Sequence, residues 1–368
     1  MIPVAEPLVT EHDIELVNEA LATGWISSAG KFLDQFEERW AAYCGMPHGI
    51  AVSNGSVALD IAVELLGLEA GDEVIMPSFT IISPAQSVVR AGGIPVLVDS
   101  DPGNWQMDVS QIEAKLTPRT RAILVVHIYG HPADMDPVLA LARKHGLKVI
   151  EDAAEVHGAK YRGRTCGGLA DISTFSFYAN KLVTTGEGGM VLVRTAELAE
   201  RARSLRNLCF QKKQRFLHEE LGYNFRLTNL QAALGVAQIE RMEQIVERKR
   251  AIAALYLELL RGTEGISLPI EEPWARNVYW VFGLVLDQAT GLDAAALAGR
   301  LREKGIETRP FFLGMHEQPV FGKMGLFAGE NYPVAERLAR QGLYVPTGLT
   351  ITDQEIHQVA QAVREGIR

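Results

Sequence analysis

Three short segments of the sequence carry side chains able to do chemistry. The first is Asn54-Gly55-Ser56, placed between a strand-like run and a helix-like one. A glycine turn that opens a helix aims free backbone N–H groups and the positive end of the helix dipole outward, which suits a phosphate. The same residues also make an ordinary strand-to-helix turn with a serine cap. The second is Glu151-Asp152, directly after the apolar run Leu147–Ile150. Ligands of open α/β sheets bind beyond the carboxyl ends of the strands, so a carboxylate there faces a cleft; the alternative is an Asp capping the next helix. The third runs from Ser173 to Met190, with Lys181 between an aromatic-rich strand and the glycines 186, 188 and 189. Burial lowers an amine's pKa because the ammonium loses hydration, and the neutral amine is a nucleophile toward aldehydes. A lysine near glycines, taken alone, is more often a solvated surface residue.

The three together are more telling than each one separately. A phosphate cradle at Gly55 and Ser56, a carboxylate at Asp152 and an amine at Lys181 are what pyridoxal 5'-phosphate (PLP) requires. The carboxylate would keep the pyridine nitrogen protonated, and the lysine would hold the aldehyde and later move a proton. Phe79, in Pro-Ser-Phe-Thr at a strand end, is placed to stack on the ring, or else to fill the core.

Other nucleotide signatures fail. There is no G-x-G-x-x-G, and the stretch Gly24 to Phe32 has one residue too many between its glycines for a phosphate loop, with Phe32 where Ser or Thr belongs. His127 and His131 stand four apart in a turn with Pro132 rather than on a helix, so no metal site is expected. Arg201, Arg203, Arg206, Lys212, Lys213 and Arg215 form a basic run without an intervening acid. That run suggests contact with phosphate groups, against the more frequent reading of a solvated face. Arg226 and Arg309, near aromatic residues, are alternative diphosphate ligands.

The elements that must hold these groups alternate. Strands are expected at Ile50–Ser53, Glu73–Met76, Pro95–Val98, Ala122–Val126 and Leu147–Ile150. Helices are expected through Ala58–Leu66, Gln86–Ala91 and Pro137–His145, with another capped by Asp108 and facing Val109, Ile112 and Leu116 inward. Such alternation implies βαβ units and a mostly parallel sheet, and fully buried strands explain apolar runs without a period of two. From Leu227 to about Leu260 the pattern is helical. A second αβ set comes after it, with strands at Tyr279–Leu286 and Ile306–Thr308, a helix at Ala294–Lys304 and two terminal helices. The expected division is a large domain over residues 1–250 and a small α/β domain over 251–368.

Composition narrows the classes. The 368 residues are 47% hydrophobic and 22% charged, ordinary values for a globular chain. The net charge of −9 disfavours nucleic acid and anionic membranes as partners. No apolar run reaches the roughly 18 residues of a membrane span, and no signal peptide is visible at the start. Cys44, Cys166 and Cys209 are odd in number and widely spaced, the pattern of reduced thiols and a cytoplasmic protein.

These residues are recognisable as a set. The segments TGWISSAGKF, VSNGSVAL, GDEVIMPSFT, VVHIYGHPADM, VIEDAAEVHG, DISTFSFYANKLVTTGEGGM, GYNFRLTNLQAALGVAQIER and RPFF resemble the DegT-type sugar-nucleotide aminotransferases, over essentially the whole chain. Within that family the sequence looks most like the GDP-perosamine synthases. The resemblance implies the PLP-dependent transferase fold of aspartate-aminotransferase type, a large domain with a mostly parallel mixed sheet between helices plus the smaller C-terminal one. It implies that Lys181 carries the cofactor, Asp152 pairs the pyridinium, and Glu155, where many relatives have Gln, lies near the 3-oxygen. Phe79 would stack on the ring. Gly55, Ser56 and Ser176 would hold the phosphate, with Asn224 reaching in from a partner subunit of a homodimer. Trp25, Ser28, Arg226, Arg309 and His316 become substrate-contact candidates. The implied partners are L-glutamate as amino donor and a nucleotide-linked 4-keto-6-deoxy sugar. Relatives with His in place of the lysine dehydrate sugars at C3, so Lys181 favours transamination. The remaining alternatives are 3- or 4-amination of a dTDP- or UDP-linked sugar, dehydration, and a regulatory homologue without catalysis.

Overall fold

The computed structural model describes residues 1–211, 213, 214 and 216–368. Its centre is a seven-stranded sheet ordered His48–Val52, Gly189–Val193, Ile172–Ser176, Lys148–Asp152, Thr120–Val126, Glu73–Pro77 and Ile94–Val98. Only Gly189–Val193 runs against its neighbours, so the sheet is mixed and mostly parallel. Strand Glu73–Pro77 is buried along its length, which accounts for the missing polar alternation.

Local chemistry sets the helix starts. Asn54 accepts from Val57 N at 3.0 Å and opens helix Gly55–Glu64. Thr10 and Thr228 each form a capping box with the residue three positions on, Asp13 and Gln231. The helical stretch expected over 227–260 is two helices, Asn229–Ile239 and Met242–Leu260. At the break, Arg241 leaves helical geometry and its guanidinium ties to Asp13 at 2.6 Å and to Leu8 O at 2.8 Å.

Three expectations need correction. Asp108 does cap, accepting from Ser110 N at 3.1 Å, but it opens a pair of 3-10 turns, Val109–Gln111 and Glu113–Lys115, rather than an α-helix. Gln111 is drawn onto Asp108 and the backbone of Asp99, and Pro118 keeps Thr117 out of helical geometry. The strand expected from Tyr279 begins only at Phe282, because Tyr279 adopts a left-handed φ of 47°. Ile306 makes an isolated bridge to Ile2, and the strand sits later, at Arg309–Pro310.

That short strand belongs to an antiparallel sheet ordered Ile266–Ser267, Phe282–Leu286, Gly342–Val345 and Arg309–Pro310. Among the described residues, most buried hydrophobic side chains fall into two clusters. One contains the seven-stranded sheet and residues such as Trp40, Phe175 and Phe177; the other gathers Ile252, Tyr256, Phe282, Leu301 and Ile356 around the small sheet. Among the described residues no helix is long and apolar enough to cross a membrane.

Candidate active site

The parallel strands Thr120–Val126 and Lys148–Asp152 end on one side of the sheet, beside the start of helix Gly55–Glu64. A cavity of about 690 Å³ opens there. Gly55, Ser56, Asp152, Glu155, Ser176 and Lys181 all line it. Six residues spread over 127 positions of sequence therefore meet in one place, which is the arrangement a cofactor site demands.

The phosphate-suited end is built from backbone. The first N–H groups of a helix have no partner within it, and the Asn54 cap takes only that of Val57. Ser56 and Ser83 face each other across 2.8 Å between their hydroxyls. A Cβ on Gly55 would lie 2.6 Å from the Ser176 Cβ, so only glycine lets this turn approach Ser176.

The same cavity carries acidic groups. Strand Lys148–Asp152 sends its last two side chains to opposite faces. Glu151 turns away into a cage, bonded by His127 Nε2 at 3.0 Å and by the N–H groups of Gly167, Leu169 and Ala170. The ligand atoms of His127, Glu151 and Cys166 lie within 4.8 Å of one another, but those donors already occupy the carboxylate. Asp152 faces the cavity, accepting from Ala154 N at 3.1 Å. Burial pushes its carboxyl up, while the Ala154 N–H, Lys181 and His127 hold it down. A cation docked against it would favour the carboxylate further.

Lys181 sits on a turn closed by its own N–H to Tyr178 O at 2.9 Å, and its side chain is only 10% exposed. Its Nζ lies 3.8 Å from Glu155 Oε1 and 3.6 Å from the centroid of the Trp280 ring. Burial pushes the amine down from its usual value, and Glu155 and Asp152 pull it back up. Glu155, which also accepts from Tyr129 N at 2.8 Å, is pushed up to about 7, chiefly by burial and against the pull of Lys181. Glu155 can thus change protonation near neutral pH, beside an amine whose charged form burial disfavours.

The other candidates do not reach the cavity. Phe79 is fully buried and packs with Tyr129, Phe311 and Phe312; Ile81, two residues on, where the chain has left the sheet, lines the cavity instead. His316 is held by Ser78 Oγ at 2.8 Å and Glu336 at 3.2 Å, with its side chain 5% exposed, so it is not free to meet a substrate. Arg309 is paired with Glu307 at 2.6 Å in a separate groove beside Arg302 and Arg340. Arg226 is half-buried and bonded to Asn207 Oδ1 at 2.6 Å. Asn224, Trp25 and Ser28 are exposed on the single chain.

The basic run is also corrected. Arg201 pairs with Glu220 at 2.6 Å, and Arg203 and Arg206 converge on Glu37 at 3.8 and 2.5 Å. These three arginines meet acids from distant positions and are not a free phosphate-binding patch. Lys212 and Arg215 lie outside the described residues.

Sequence reasoning missed Trp280, Tyr344, Tyr178 and Asn180, all of which line the cavity. Trp280 comes from the stretch Val278–Val281, which reads locally as core strand; no signal near it announces Lys181, 99 residues earlier.

The donor set fits PLP: helix-start N–H groups and hydroxyls, a buried carboxylate and a desolvated amine line one cavity. The comparisons agree. The DegT/DnrJ/EryC1/StrS aminotransferase family matches residues 7–364. The GDP-perosamine synthase of Caulobacter vibrioides is 41% identical over 98% of this chain and 97% of that protein. A dTDP-3-amino-3,4,6-trideoxy-alpha-D-glucose transaminase of Streptomyces venezuelae is 39% identical over 91% of this chain and 87% of that protein. The crystal structure of S. venezuelae DesV in complex with a ketimine intermediate superposes with a TM-score of 0.90 at 37% identity, over 97% of this chain and 94% of that one. The chain therefore belongs to the DegT/DnrJ/EryC1/StrS aminotransferases, PLP-dependent enzymes that transfer amino groups to sugars.

Proposed function

We propose that the enzyme moves the amino group of L-glutamate to the 4-keto carbon of GDP-4-keto-6-deoxy-D-mannose, giving GDP-perosamine. The observation that carries the reading is the buried Lys181 amine, 3.8 Å from Glu155, in one cavity with Asp152 and the start of helix Gly55–Glu64. The nucleotide and sugar are taken from the likeness to GDP-perosamine synthase. A dTDP-linked 3-keto sugar is the rival, favoured by a relative at nearly the same identity.

PLP, when bound, supplies an aldehyde that captures amines and a ring that draws electrons from the carbon losing its proton. Gly55, Ser56 and Ser176 would hold its phosphate, and Asp152 would keep its ring nitrogen protonated. Lys181, whose ammonium form burial disfavours, first serves as the attacking amine and then carries the proton to and from the reacting carbon. Glu155 takes or returns a proton beside Lys181 in the neutral range. The second half of the cycle runs the same proton movements in reverse, with the keto sugar in place of 2-oxoglutarate.

The working unit in this reading is a homodimer with Asn224 of each subunit completing the phosphate cradle of the other. Exposed apolar side chains along the first helix and after it support this: Ile14, Leu21, Trp25 and Ile26. Trp25, Ser28 and Arg226 are the substrate contacts that such an assembly would bring in. The division into residues 1–250 and 251–368 belongs to the same reading. It is supported along helix Met242–Leu260, where the buried side chains change cluster between Val246 and Ile252, while Val278, Trp280, Phe311 and Leu338 return to pack with the first cluster. A cytoplasmic location, where the cell makes nucleotide sugars, completes it.

The test is a panel of keto-sugar nucleotides incubated with L-glutamate and read by mass spectrometry. Amination of the GDP-linked 4-keto sugar is the expected result. Amination of a dTDP-linked 3-keto sugar alone would overturn the substrate. Loss of water without gain of nitrogen would mark a dehydratase, and no turnover of any sugar would favour a regulatory protein.

A further inference from the structure

Lys181 has a second neighbour that the chemistry of the carboxylates does not explain. Its Nζ lies over the face of Trp280, 3.6 Å from the ring centroid, and the indole N–H donates to Asn180 O at 2.8 Å. One side chain thus touches the reactive amine through its ring and fixes the peptide just before it through its nitrogen. The aromatic face attracts an ammonium by its quadrupole, most strongly where water is excluded. Here both partners are shielded: Trp280 is 5% exposed and the Lys181 side chain 10%.

Trp280 is itself firmly placed. The preceding Tyr279 holds a left-handed φ of 47°, unusual for an aromatic residue. Gly130 packs so closely that a Cβ there would meet Trp280 N at 2.5 Å, and Val278 N bonds Gly130 O at 3.0 Å. Strained backbone persists only where its surroundings over-determine it.

We propose that Trp280 is a positioning residue that holds the Lys181 side chain in the site, through the ammonium form of its amine, while the lysine is not bound to the cofactor. This inference rests on the imine-forming role given to Lys181 above. An unanchored four-carbon stem samples many rotamers, so the ring keeps the amine within reach of the carbon it must reprotonate. The other titratable groups around Lys181 are Glu155, Asp152 and His157, with Tyr178, Tyr344, Glu187, Lys249 and Glu6 lining the cavities it borders.

The test measures Lys181 directly. Protein freed of aldehyde with hydroxylamine is pulsed with acetic anhydride across pH, and acetylation of Lys181 is followed by peptide mass spectrometry. Trp280→Leu removes the ring and is expected to move the midpoint of Lys181 labelling about one pH unit lower, because the ammonium loses its partner. Trp280→Phe keeps a ring face and is expected to stay near the wild-type midpoint. Circular dichroism checks folding; if the leucine variant unfolds, Trp280→Met fills the space without a ring. An unchanged or raised midpoint in the folded ring-less variant overturns the proposal. A normal wild-type labelling profile without imine formation on added PLP would defeat the proposed function and leave the Trp280 arrangement standing.

Discussion

Lys249 offers a quantitative check on the electrostatics behind the site. It lies on helix Met242–Leu260, buried, with Nζ bonded to Thr347 O at 2.7 Å, and its burial disfavours the ammonium form. Burial pushes its amine from 10.5 down to about 7. The folded state therefore favours the neutral form, and between pH 7 and 10.5 the unfolded chain binds more protons than the folded one. Stability must then rise with pH through that window. Integrated from pH 7 to 9, the gain is about 2 kcal/mol. In a chain of this size that is a shift of about 3 °C in thermal midpoint. Lys249→Met removes the titration. It also leaves the Thr347 carbonyl unpaired, at a cost of about 1–3 kcal/mol that does not vary with pH. The expected result, by calorimetry at matched cofactor saturation, is that the wild type gains about 3 °C on the variant between pH 7 and 9. Parallel movement of the two midpoints would show that Lys249 does not titrate in this range and would refute the argument.

Other perturbations address the site itself. Gly55→Ala places a methyl group 2.6 Å from the Ser176 Cβ and is expected to weaken PLP binding roughly tenfold or more, measured by cofactor titration. Asp152→Asn retains the shape but not the charge, and should cost about 10²-fold or more in transamination rate while the phosphate contacts keep the cofactor bound. Unaltered rates would remove Asp152 from the mechanism. Lys181→Ala and Asn224→Ala subunits, each inactive, should regain activity when mixed and re-annealed, because one site of the mixed dimer is then fully native. Activity that stays absent places Asn224 in its own subunit's site. Glu155, pushed up to about 7, should give the rate profile an acidic limb near neutrality, and Glu155→Gln should move that limb.

The architecture was readable because its signals are local. Ala58, Ile61, Ala62, Leu65 and Leu66 mark one helix face by spacing alone, and Asn54 marks its start by the geometry of an Asn cap. Asp152 at a strand end and Lys181 before a glycine loop were likewise found from neighbours in sequence. Errors arose where a residue's role depends on partners far along the chain. Phe79 and Ile81 both stand just past the same strand, and only the turn after Pro77 decides that one enters the core and the other the cavity wall. His316 is removed from consideration by Ser78, 238 positions away. The arginine run loses its free charge to Glu37 and Glu220.

By itself, then, the order of residue types determined the alternating elements, the cofactor class and the lysine proposed to carry it, since each depends on hydrogen bonding, periodicity and intrinsic reactivity within a few residues. Tertiary structure alone decided which aromatic residues meet the amine, which arginines keep an unpaired charge and how far burial moves each titratable group. Those properties come from desolvation and from contacts between distant segments, and neither exists until the chain has closed on itself.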